Sequence, residues 1–446
     1  MSGNSTSADV RALSPSERWF WIIDRLSPSN CCGRVRVHGR VSARRLEEAA
    51  AALVAEYPLL RVGVVDGAGR DPWFRESAEP GIPVRRMESH DSEAWMREID
   101  VEMADPFDTA KGLARIVDIA VGAGTADEFH DIVLTISHII VDGRSLMALL
   151  RKLIEHAAGA SAGLVERAGV PAADDLIPVG ARGMWRWAYT TLFDQVAALW
   201  QRPQRVAGAQ AALPERRTRV VHRVLDREAL AALVTDCRRA GVTVHGALAA
   251  AAASAIGASN SGGSGTAGIG SPVDFRGLLS PRPADDELGI YAPVLVGFVP
   301  FGVPLWTAAR SVKRQLERGV RQRRHLATVA GMRFGTPRAL ASGRRLADLV
   351  DRRAPWNVSL TNLGRVEFPE TAGAWRLSGL TLAASNSCVS VLTVSVATAH
   401  GEMRLGFCYA EPVLSARRAA DFADAMLTAL RERPDPSAEP LGQPGA

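Results

Sequence analysis

Lysine is nearly absent. Of 53 basic residues only Lys111, Lys152 and Lys313 are lysines, and the arginines that make up the rest are spread along the chain to a net charge of +5. Without a basic stripe or a cluster of stacking aromatics, nucleic-acid binding is not expected. The arginine skew, alongside many Ala and Gly, fits a GC-rich coding sequence and leaves open a docking face for an acidic partner. Long apolar runs are missing too. None reaches the length of a membrane span, and the start MSGNSTSADVRALS has no signal-peptide core, so a cytoplasmic chain without a span is expected. Cysteines are few. Cys31, Cys32, Cys237, Cys388 and Cys408 have neither metal-ligand spacing nor a disulfide pattern, which predicts reduced thiols and no metal.

What is present is a globular composition, 47% hydrophobic and 23% charged, in 446 residues, enough for two domains. The most informative stretch is FHDIVLTISHIIVDGRSLMALL, Phe129 to Leu150. Its β-branched run reads as a buried strand that delivers Ser137 and His138 at its end. After a turn closed by Asp142 and Gly143, Ser145 is placed to cap a helix carrying Leu146, Leu149, Leu150 and Leu153. An imidazole held at a strand-to-helix turn suits acid/base chemistry, because it titrates near neutrality. Asp142 either orients it or serves the fold.

SHIIVDGRS resembles the HHxxxDG signature of the condensation-domain superfamily, which includes nonribosomal peptide condensation domains, PapA-type polyketide acyltransferases and, more distantly, chloramphenicol acetyltransferase and the HxxxD acyltransferases. Ser137 stands where most members have a first His. LSPSERWFWIIDRL, LEEAAAALVAEYPLLRVGV and PFDTAKGLARIVDIA resemble the family's opening, and GVTVHGALAAAAASAI its second-lobe helix. Pro272-Val273-Asp274-Phe275-Arg276 resembles the P-V-x-x-R segment, whose arginine pairs with the signature Asp. Trp356 to Gly364 resembles the S-N-L-G strand beside the cleft, with Thr361 for the common Ser.

The resemblance implies an α/β (α+β) fold of two chloramphenicol-acetyltransferase-like lobes, a V-shaped pseudo-dimer with a central tunnel. The expected division is 1–180 for the lobe carrying the motif, 181–215 for a crossover, 216–435 for the second lobe and 436–446 for a disordered tail. It also implies an acyltransferase moving an acyl group from acyl-CoA or a phosphopantetheine carrier to a hydroxyl or amine of a small molecule, in natural-product or lipid biosynthesis. The thioester is then a co-substrate, no cofactor is bound, an acyl or peptidyl carrier protein is a candidate partner, and a monomer is expected. His138 becomes the base, Asp142, Gly143 and Arg276 its support, and Ser137, Thr361 and Asn362 candidate substrate or oxyanion contacts. His245 and His325 are alternative bases, read as structural. Two other readings stay open: a degenerate scaffold that docks carriers, favoured by Ser137, and a condensation-like enzyme that cyclises or epimerises a tethered intermediate.

Along the chain, Ser14-Pro15-Ser16-Glu17 forms a capping box opening a helix. Arg34 to Arg40 alternates as a strand, Ser42 caps a helix stopped by Pro58, and LLRVGVV reads as a strand. Met184 to Trp200 is a helix whose aromatics (Trp185, Trp187, Tyr189, Phe193, Trp200) are expected to pack. Arg219 to Leu225 is a strand; Asp226 and Thr243 cap the next helices. SNSGGSGTAG is read as a turn, since it has no P-loop Lys-Ser/Thr. Cys388 to Ala397 and Met403 to Tyr409 are late strands, and Ser415 caps a last helix.

Overall fold

The computed structural model describes residues 9–436 apart from 67–70, 161–162, 164–166, 168, 170, 261 and 385–386, so nearly all of the expected disordered tail lies outside it. The first half runs β1 (Asp9–Ala12), α1 (Pro15–Leu26), β2 (Asn30–His38), α2 (Ala43–Glu56), β3 (Val62–Val65), β4 (Trp73–Glu76), β5 (Val84–Ser89), α3 (Ala94–Ala104), β6 (Ala114–Val121), β7 (Phe129–Ser137) and α4 (Gly143–Ala157). The Ser14 hydroxyl accepts from Glu17 N–H and the Glu17 carboxylate accepts from Ser14 N–H at 2.7 Å, closing the capping box. β2 starts four residues before Arg34, because Asn30 to Gly33 continue the ladder with Ser137 to Leu134 of β7. Ser42 stands at the start of α2 without a side-chain cap bond, and the segment after Pro58 makes one short helical turn before β3.

The second half runs α5 (Met184–Gln201), β8 (Arg217–Leu225), α6 (Arg227–Arg239), α7 (Val244–Ser259), β9 (Gly265–Pro272), β10 (Val294–Phe301), α8 (Leu305–Arg321), α9 (Arg324–Gly335), α10 (Leu340–Arg353), β11 (Val358–Arg365), β12 (Thr371–Ala372), β13 (Trp375–Ala384), β14 (Leu392–Ala399), β15 (Glu402–Glu411) and α11 (Ala416–Arg431). Asp226, Thr243 and Ser415 each accept a backbone N–H at the start of their helix, as expected of caps. β14 begins at Leu392, after Cys388, which sits in the preceding turn.

Two six-stranded sheets organise these elements, ordered β12-β13-β2-β7-β6-β5 and β10-β9-β11-β14-β15-β8; a small sheet, β1-β4-β3, stands apart. The sheet that carries His138 is therefore completed by two strands from the C-terminal half, with Leu382 to Ala384 of β13 paired to Gly33 to Cys31 of β2. One core gathers α1, α2 and α4. The other large one surrounds α7, whose alanines from Ala247 to Ala255 are buried on every side, as a helix apolar all round must be. No single helix among the described residues is long and apolar enough to cross a membrane. All five cysteines are free and buried.

Candidate active site

β7 ends as the ladder to β2 runs out at the pair Asn30 and Ser137, and the chain turns with His138 N–H donating to the Ser29 carbonyl at 2.9 Å. The imidazole Nδ1 lies 2.7 Å from the Val141 carbonyl. A carbonyl can only accept, so Nδ1 carries the proton and Nε2 keeps its lone pair. The half-buried ring stacks on Phe20 of α1, centroids 4.1 Å apart. Burial lowers its pKa, outweighing the opposing pull of the Asp142 charge and the Val141 carbonyl, so the imidazole is neutral at pH 7.

Asp142, not Ser145, is the helix cap. Its Oδ1 accepts from Arg144 N–H at 3.1 Å and Ser145 N–H at 3.0 Å, because a carboxylate one residue before the first turn reaches the free donors there. The same oxygen accepts from Arg276 Nη2 at 3.0 Å, while Oδ2 accepts from Tyr291 N–H at 3.1 Å. Burial alone would raise this carboxyl; the Arg276 charge and these hydrogen bonds more than offset it and hold the pKa below the usual range. Arg276, also buried, donates to Ser145 Oγ at 2.7 Å and lies over the Tyr291 ring. So Asp142 ties the start of α4 to two segments of the second half, and none of its contacts reaches His138. It serves the shape of the site.

Arg144 and Ser145 N–H are taken, whereas the N–H groups of Val141, Asp142 and Gly143 have no hydrogen-bond partner among the described residues. β11 approaches here: Leu363 is the nearest side chain to Gly143, 3.1 Å from where a Cβ would sit. Thr361 lies on the same strand face as Leu363, whereas Asn362 alternates away and lines a cavity of about 920 Å³ with Val234, Arg238 and His400. Its Oδ1 accepts from Gly364 N–H at 2.9 Å, so Asn362 shapes its own turn. A second cavity, of about 570 Å³, is lined by Arg144, Met147 and Leu363.

Ser137 is fully buried, and among the described residues its hydroxyl reaches only Ile139 N–H, at 3.4 Å. Ser137→Ala is therefore expected to keep turnover within about threefold of the parent, since one weak local bond is lost. Ser137→His should instead destabilise by ~1–3 kcal/mol through overpacking. Thermal melts beside rate measurements on both variants check this. The alternative bases stand elsewhere. His245 sits 3.0 Å from the Ser271 hydroxyl, its pKa pushed down by burial to about 4, and His325 is buried. Two contacts were not foreseen: the Phe20 ring and the Val141 carbonyl.

With this geometry in hand, the chain can be compared with known proteins. Residues 214–410 match the family described as phthiocerol/phthiodiolone dimycocerosyl transferase C-terminus. A linear gramicidin synthase polypeptide of Brevibacillus parabrevis is 26% identical over 265 residues, which is 54% of this chain; the chain spans about 3% of that protein's length. The structure of polyketide synthase associated protein 5 from Mycobacterium tuberculosis superposes with a TM-score of 0.66 at 15% identity, covering 96% of this chain and 99% of that one. The first condensation domain of the CDA synthetase gives 0.69 at 15% identity, with 99% and 98% covered. The family match over residues 214–410 and these likenesses support a condensation-domain and PapA-type acyltransferase superfamily. Its fold is that of a condensation domain. A starter condensation domain of rhizomide synthetase, solved in variant form with C8-CoA and Leu-SNAC, shares the fold at a TM-score of 0.66 and 16% identity, covering 98% of each chain.

Proposed function

We propose that this protein transfers an acyl group from a pantetheine thioester, on CoA or a carrier protein, to a hydroxyl or amine of a small molecule. The observation that carries this reading is the His138 tautomer: Nδ1–H is held by the Val141 carbonyl, so a neutral Nε2 is the free basic atom. Nε2 takes the proton as the acceptor oxygen or nitrogen attacks the thioester carbonyl. The tetrahedral oxyanion meets a backbone donor of this turn, for which Gly143 N–H is one candidate. Collapse breaks the C–S bond, the imidazolium returns the proton to the sulfur, and an ester or amide leaves with a free thiol. The thioester is a co-substrate, and this chemistry needs no resident cofactor. The protein works as a cytoplasmic monomer in this reading, with a tunnel between the halves as the route to His138.

The test is thiol release from a panel of acyl-CoA and acyl-carrier thioesters with hydroxyl and amine acceptors. Acceptor-dependent release supports transfer. Carrier binding without release from any donor would favour the scaffold reading, to which Ser137 lends its one specific feature.

The pH dependence follows from the ring's surroundings. Because burial lowers the His138 pKa from the ordinary imidazole value of 6.5, the acidic limb of the parent's kcat/KM, where Nε2 is protonated, should have its midpoint below that value. Phe20→Ala opens the stacked face to water, which should move that acidic limb upward; an unmoved limb would show that Phe20 does not control the burial of the ring.

A further inference from the structure

α5 is turned the wrong way for a helix of a free-standing globule. Trp185, Tyr189, Leu192, Val196, Leu199 and Trp200 recur at three- and four-residue spacing and fill about a third of the helix circumference. That face points to solvent: Trp185 is 81% exposed and Trp200 86%. The aromatics expected to pack divide accordingly, and only Trp187 is keyed into the body, its ring filling the place where a Cβ on Gly331 of α9 would come within 1.8 Å. Most of the exposed large apolar side chains among the described residues lie between Val179 and Trp200. A patch of this kind marks an interaction surface.

Charge says what covers it. The only acid on α5, Asp194, is bound by Arg324. Exposed Arg186 lies on the helix and exposed Arg202 follows it, and Trp185 and Tyr189 share a cleft with Gln322 and Arg324 at the α8–α9 corner, where Arg318, Arg321 and Arg323 are exposed. An apolar stripe with tryptophan at both ends and an arginine rim has the composition of a helix lying in a lipid–water interface. A second copy of the chain would press the same cationic rim against itself. Leu199 and Trp200, adjacent and both outward, also spread wider than a two-helix seam uses. We propose that α5 docks this protein on an anionic lipid bilayer surface, lying in the interface plane without spanning it. This rests on α5 and its rim alone, independently of the acyl-transfer reading.

The test is co-sedimentation of the full chain with vesicles of two parts phosphatidylcholine to one part phosphatidylglycerol, and with phosphatidylcholine alone. The parent should pellet with the anionic vesicles and less with the neutral ones or at high salt. Leu192→Glu with Leu199→Glu should lower the bound fraction about tenfold or more, with an unchanged melting temperature because both side chains are exposed. Arg186→Glu with Arg202→Glu should remove the preference for phosphatidylglycerol. Failure to pellet, or equal pelleting by the leucine variant, overturns the proposal. So does a parent dimer in sedimentation velocity that the leucine variant splits while vesicles bind neither, since the occupant is then a second copy.

Discussion

His138→Ala is expected to slow thiol release by about a hundred- to ten-thousandfold, the range over which a positioned general base contributes. The argument is local. Nδ1–H is committed to the Val141 carbonyl at 2.7 Å, so the ring cannot swing Nε2 away without breaking that bond, and Phe20 holds its face. Replacing the half-buried ring removes the base and leaves the turn intact, because the backbone bonds at Ser29 and Asp142 do not involve it. The variant should therefore melt close to the parent. Equal rates for the two proteins would sink the assignment.

Asp142→Ala is expected to act on the fold first. Removing one partner of a buried ion pair leaves the other charge uncompensated at a cost of ~3–5 kcal/mol, and the lost helix cap adds ~1 kcal/mol. The variant should show a large fall in melting temperature, with activity lost in step. Arg276→Met should cost a similar amount, since it leaves Asp142 buried and unpaired. The double replacement Asp142→Leu with Arg276→Met should be less harmful than the sum of the two, because no lone charge remains. A depressed folded-state pKa means that this stability is fully present above about 3.8, the unfolded value, and is lost as pH falls through the lower folded one. An Asp142→Ala protein as stable as the parent would show that the pair does not hold the halves together.

The residues of this site were readable to different depths. His138, Asp142 and Arg276 came from motif and resemblance, and their spacing along one turn and one strand end is local enough for sequence to carry. The caps at Ser14, Asp226, Thr243 and Ser415 were legible for the same reason, since a cap acts within three residues. Ser145 was mistaken for the cap of α4 because two good capping residues stand three apart, and only geometry shows that Asp142 takes the donors. Asn362 was named by resemblance, and strand alternation places it on the face opposite Leu363. β13 went unread because its partner β2 lies more than three hundred residues away, and a pairing that distant leaves no local signal. Phe20 looked like any apolar residue of α1; nothing in its spacing says that it stacks on an imidazole. The aromatics of α5 were expected inside, because the stripe pattern reports a face but not which way it points.

Whether His138 promotes direct transfer is tested most sharply by incubating the protein with an acyl thioester and an acceptor and following three quantities together: free thiol, acylated acceptor and the intact mass of the protein. The account predicts thiol and product in equal amounts, an unchanged protein mass, and near-total loss of both in His138→Ala. An acyl group carried on the protein, or thiol released as fast without the imidazole, would contradict it.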